Sequence, residues 1–127
     1  MGGTTRRALG AANPDKPNPD TLRKRSIKFN KDSLSNGCMM RITPLIFWAR
    51  NLDDATFVQV IREDIKLTHS SPVAQDAVIV YGLAIRSLIH NPGNRELAYK
   101  KARYNIVLTN IEITQIINAQ IKLCLNG

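Results

Sequence analysis

The chain has 127 residues, of which 43% are hydrophobic, 6% aromatic and 22% charged, and its 18 Lys and Arg outweigh 10 Asp and Glu to give +8. That length suits one domain with one modest core, and the balance of residue types excludes fibrous and disordered classes. Two cysteines, Cys38 and Cys124, are too few for a disulfide framework and lack the spacing of a zinc site, so both are expected to be reduced and buried.

The opening MGGTTRRALG has no apolar core of a secretory signal, and Arg6 stands where myristoylation needs Ser or Thr, which predicts an intracellular, cytoplasmic protein. Residues 1 to 41 hold nine basic and three acidic side chains, so the first third carries +6 of the +8. Residues 11–31, AANPDKPNPDTLRKRSIKFNK, combine three prolines with the cluster Arg23, Lys24, Arg25 and show no apolar periodicity. They read as a loop or poorly ordered arm rather than a helix. A basic segment of this kind attracts phosphates, including those of nucleic acid, although a charge run is more often a solvated face.

After Pro44 the pattern changes. Leu45, Ile46, Phe47, Trp48 and Ala49 predict a short apolar helix buried nearly all round. Asp53 or Asn51 can cap a helix over 53–67, where Phe57, Val60, Ile61 and Ile65 share one face and Arg62, Glu63 and Lys66 the other. The strongest helix opens with Ser71 and Pro72 and closes at His90-Asn91-Pro92-Gly93. Its continuous stripe is Ala74, Ala77, Val78, Tyr81, Ala84, Ile85 and Leu88, and because Asp76 and Arg86 interrupt this most apolar stretch of the chain no membrane span is expected. Helices are also expected over 94–108, with strand as an alternative near 105–108, and over 111–125, where Ile113, Ile116, Ile117, Ile121 and Cys124 recur. No internal repeat and no βαβ alternation occurs, which predicts an all-α domain.

Few residues invite chemistry. Asp53-Asp54 is better explained by helix capping and the helix dipole than by a metal site. His69 lies in the link between two predicted helices, where unpaired backbone N–H groups can bind phosphate, yet a lone His there is more often packed or capping. His90 reads as an ordinary residue of a helix carboxyl end.

Three stretches in order, GGTTRRALG at 2–10, SNGCMMRITPL at 35–45 and DIKLTHSSPVAQDAVIVYGLAIRSLI at 64–89, resemble the central part of the ADP-ribosylglycohydrolase family. That family includes dinitrogenase-reductase-activating glycohydrolase and the ADP-ribosyl-acceptor hydrolases. The resemblance implies a partial ADP-ribosylglycohydrolase-like helical domain over 35–127 behind a basic, loop-rich arm over 1–34. It implies hydrolysis of the bond between ADP-ribose and an acceptor, with two magnesium or manganese ions activating water. By the same resemblance Ser35, Asn36 and Gly37 fall on the loop lining the ADP-ribose cleft, and His69 on the cleft histidine. Met40, by burial, and Arg41, by pairing with carbonyls or an acid, are expected to anchor that loop.

The family's early and late acidic metal motifs have no counterpart here, and Asp53-Asp54 stands in the wrong place. The expectation is therefore no catalytic residue, no metal ligand and no cofactor held by this chain alone, as in a fragment or degenerate copy. Three readings follow: such a copy, one half of a split hydrolase completed by another chain, or a small basic helical protein binding nucleic acid or another polyanion. In the first two, an uncovered apolar stripe on 72–90 predicts marginal stability, self-association or a partner.

Overall fold

The computed structural model describes residues 2–10 and 12–109, and the expected helix over 111–125 and Cys124 lie outside them. Among the described residues the order is α1 (Gly3–Leu9), α2 (Pro19–Asn30), α3 (Gly37–Arg41), α4 (Thr43–Ala49), α5 (Asp54–Ile65), α6 (Pro72–His90) and α7 (Arg95–Thr109), with no strand. The domain is all-α. The helix α7 runs through 105–108, so the strand alternative there does not occur.

The basic segment departs from the expected loop, because α2 occupies most of it. Asn18 accepts from the backbone N–H of Asp20 and Thr21, Pro19 sits at the first helical position, and Asp20 lies in the first turn. These are helix-start signals: a proline costs nothing where the N–H has no partner anyway. Apolar periodicity is missing because the buried side chains of α2 are polar, Ser26 and Asn30.

The core forms around α6. Val78, Ile79 and Leu83 pack with Ile42, Ile46 and Ala49 around α4 and with Phe57, Ile61 and Ile65 on α5. Asp53, not Asn51, caps α5, accepting from Thr56 N at 3.0 Å and Thr56 Oγ1 at 2.6 Å. Of the expected α6 stripe, Ala74 and Val78 are buried while Ala77, Tyr81, Ala84, Ile85 and Leu88 are half-buried. The face is rotated toward Gln75, Ile79 and Gly82, because α5 and the α5–α6 link press there. Beyond α6, Gly93 takes a positive φ of 81° that favours glycine and turns the chain into α7, whose Ala102 packs on Val80.

One further expectation fails. The helix α4 does not bury all round: Ile46 and Ala49 face the core, and Phe47 and Trp48 are exposed. By length and composition α6, with 19 residues and a mean hydropathy of 1.3, could cross a bilayer despite Asp76 and Arg86. A core helix passes the same test, and here Asp76 pairs with Arg62 at 2.7 Å while Arg86 donates to Asp54 and to the Leu52 carbonyl.

Candidate functional site

The loop Ser35-Asn36-Gly37 and the link Leu67–Ser71 meet where α1, α2, α3 and the start of α6 converge. Thr68 N and His69 N both donate to the Ile65 carbonyl, ending α5 in a tight turn that drives the His69 ring inward. The imidazole is fully buried. Its Nε2 lies 2.9 Å from Ser35 Oγ and its Nδ1 lies 2.8 Å from Thr68 Oγ1. A neutral imidazole has one donor and one acceptor nitrogen, so either tautomer satisfies this pair with the two hydroxyls rotating to suit. Burial first, and the Arg41 guanidinium second, push the His69 pKa below its ordinary value, with a smaller opposing effect from Ser35.

Arg41 anchors the same junction as expected. It forms an ion pair with the Asp64 carboxylate and donates to the Asp64 carbonyl at 2.9 Å and to Thr68 Oγ1 at 2.8 Å. Met40 does not: it is 76% exposed, because a five-residue helix that buries Cys38 turns the neighbour two positions on outward. Burial pushes the Cys38 thiol pKa up, as for a packed, unreactive cysteine.

A second polar shell, invisible to periodicity, holds the junction from the amino-terminal side. Asn30 Nδ2 donates to the carbonyls of Thr4 and Thr68, both at 2.9 Å, while its Oδ1 accepts from Arg7 Nε at 3.1 Å. Thr4 Oγ1 and Ser33 Oγ are 3.0 Å apart, and Ser33 Oγ accepts from Ser35 N at 3.4 Å. Arg25 donates to the carbonyls of Ala8 and Arg7, and Arg23 bridges to Glu63 at 3.0 Å. The basic cluster thus spends two of its three charges tying α2 to its surroundings.

Of the residues singled out from sequence, Ser35 and His69 are joined directly. A Cβ placed on Gly37 would sit 3.7 Å from His69 Cε1 and 3.0 Å from Thr5 Oγ1, so the glycine lets the loop lie close to both. Ser35 and Asn36 are exposed beside a small groove shared with Met39, Ala74 and Ala77. His69 does not present a free nitrogen to a ligand, since Ser35 covers one and Thr68 the other. Thr68 alone among the missed residues carried a signal, standing inside the Leu-Thr-His stretch.

Among the described residues no three His, Cys, Asp or Glu side chains converge on a point that could hold a metal ion. Asp54, Asp64 and Asp76 are each paired with an arginine, and Asp53 is a helix cap. This set does not fit a pair of divalent ions, and no step of a reaction is assigned through them.

The sequence model of the ADP-ribosylglycohydrolase family matches residues 1–122. A protein of Acanthamoeba polyphaga mimivirus named "Putative ADP-ribosyl glycohydrolase L543" is 38% identical over 78 residues, covering 56% of this chain and 24% of the viral protein. The chain thus spans about a quarter of the length of that curated relative. No solved structure matches. With the match running from the Gly-Gly-Thr-Thr start through the His69 junction and α6, the chain belongs to the ADP-ribosylglycohydrolase family.

Proposed function

We propose that this chain supplies one wall of an ADP-ribose cleft, with the Ser35-Asn36-Gly37 loop as the contact surface and His69 as the residue that positions it. The observation that carries this reading is the 2.9 Å contact between His69 Nε2 and Ser35 Oγ, which fixes an exposed polar loop to a buried, doubly bonded imidazole. Asn36, which has both a donor and an acceptor, can bond ribose or phosphate oxygens, and Gly37 admits close backbone approach. The reaction class is hydrolysis of the bond between ADP-ribose and an acceptor, as the family membership supports. The carboxylates for magnesium or manganese come, on this proposal, from a complementing segment or chain, which would cover the exposed Met40, Phe47 and Trp48.

Isotope-edited NMR of the chain titrated with ADP-ribose tests the reading. Shifts confined to 35–37 and 67–70, lost in Asn36→Ala, are expected. No shift at millimolar ligand removes the cleft. The chain alone with magnesium should hydrolyse ADP-ribosylated arginine or serine no faster than an Asn36→Ala, His69→Ala control. Faster turnover would show that it carries its own ligands. The polyanion reading keeps support from exposed Arg6, Lys16, Lys24, Lys28 and Lys31, whereas Arg7, Arg23, Arg25 and Arg41 are engaged internally.

A further inference from the structure

At the opposite end of α6 from the His69 junction lies a cleft of about 400 Å³, within the size range of small-ligand sites. Its floor and walls come from the 50–54 turn, the last turn of α6 and Lys101 of α7. Ser87 lies on this cleft with only 8% of its surface exposed, and its Oγ is buried with no hydrogen-bond partner. A buried hydroxyl in that state costs stability unless something bonds to it.

Two arginines, Arg50 and Arg86, lie in the lining with the acid Asp54. Arg86 is spent: it pairs with Asp54, donates to the Leu52 carbonyl at 3.1 Å and stacks on Phe57. Arg50 is different. It lies flat on the Phe47 ring at 4.3 Å and donates through Nη1 to the Phe47 carbonyl, so its guanidinium is held in place with further N–H groups uncommitted. His90 donates through Nε2 to the Arg50 carbonyl at 2.9 Å, locking the turn that carries Arg50 to the end of α6. The carbonyl of Ser87, which would repel an anion, is already covered by Asn91 N at 2.9 Å and Asn91 Nδ2 at 3.4 Å.

We infer that this cleft binds a small oxyanion, a phosphate or phosphate-bearing group, through the preset Arg50 guanidinium and the Ser87 hydroxyl. Planar arginine matches phosphate oxygens in a bidentate way, and an already positioned side chain loses little freedom on binding. The cleft is separate from the 35–37 loop: Ser87 lies 13 residues along α6 from Ala74, which at 1.5 Å per residue is roughly 20 Å.

The test is an NMR titration of the full chain with inorganic phosphate against sodium chloride at matched ionic strength. Saturable shifts at Asn51, Leu52 and Ser87 to Asn91 in the millimolar range are expected with phosphate only. Arg50→Gln should weaken binding by about ten-fold or more and Ser87→Ala by about three-fold, the scale of one charge-assisted and one neutral hydrogen bond. Ser35→Ala should leave it unchanged. If Arg50→Gln loses its folded spectrum, Ser87→Ala, a benign change within a helix, carries the test. Linear, unsaturable shifts, equal response to chloride, shifts concentrated on Lys24, Lys28 and Lys31, or unchanged binding in folded Ser87→Ala would overturn the proposal.

Discussion

Two buried regions share α6 and are built on opposite principles. Around its middle, Ile42, Ile46, Phe57, Ile61, Ile65, Val78 and Leu83 make a core without polar partners. Around its amino-terminal end, Thr4, Ser26, Asn30, Thr68, His69, Ser71 and Gln75 are buried just as deeply, most of them through directed hydrogen bonds. Apolar contacts are non-directional and tolerate small shifts in register. A buried polar cluster does not, since each misplaced group is left unsatisfied at real cost. The first region thus supplies most of the stability, while the second fixes where the 35–37 loop sits.

The largest expected effect is in the apolar region. Phe57 is fully buried, and Phe57→Ala should cost about 3–5 kcal/mol, a large share of the 5–15 typical of a domain. Urea unfolding followed by circular dichroism reads this, and a loss under about 1 kcal/mol would show that the core is loosely packed. Asn30→Ala should cost less, about 2 kcal/mol, by stranding the Thr4 and Thr68 carbonyls and Arg7 Nε. It should also alter the amide shifts of Ser33 and Ser35, which Phe57→Ala should leave nearly unchanged while the chain stays folded. Equal loop perturbation by both variants would break the distinction between the regions.

A pH effect sharpens it further. The His69 pKa in the folded chain is lowered, so the unfolded chain binds its proton first. The unfolded state then holds more protons, and stability falls as pH drops below the ordinary histidine value near 6.5. Unfolding midpoints between pH 7.5 and 5 should decline in the native chain and decline less in His69→Gln. A slope unchanged by that substitution would remove His69 as its source. The smallest effect concerns Cys38, whose buried thiol should react with a disulfide reagent only on unfolding, measured in a Cys124→Ser background.

What could be read from the chain followed the kind of force involved. Phe57, Ile61 and Ile65 on α5 and the Ser71-Pro72 start of α6 were legible because burial and capping leave a local pattern. The helix α2 was not, although Asn18-Pro19-Asp20 carries its start signal, because closely spaced prolines also fit a loop and its buried face is polar. Phe47 and Trp48 misled in the opposite sense, since hydropathy gives no information on whether another segment lies over them.

By itself the sequence determined the helical class and the family motifs, since these rest on residue order and short-range geometry. Only the tertiary structure decided that His69 is wholly buried and serves Ser35, that Asn30 ties Thr4 to Thr68, and that Arg50 and Ser87 share a cleft. Those relations join residues 26 to 38 positions apart, through hydrogen bonds whose partners leave no period in the chain.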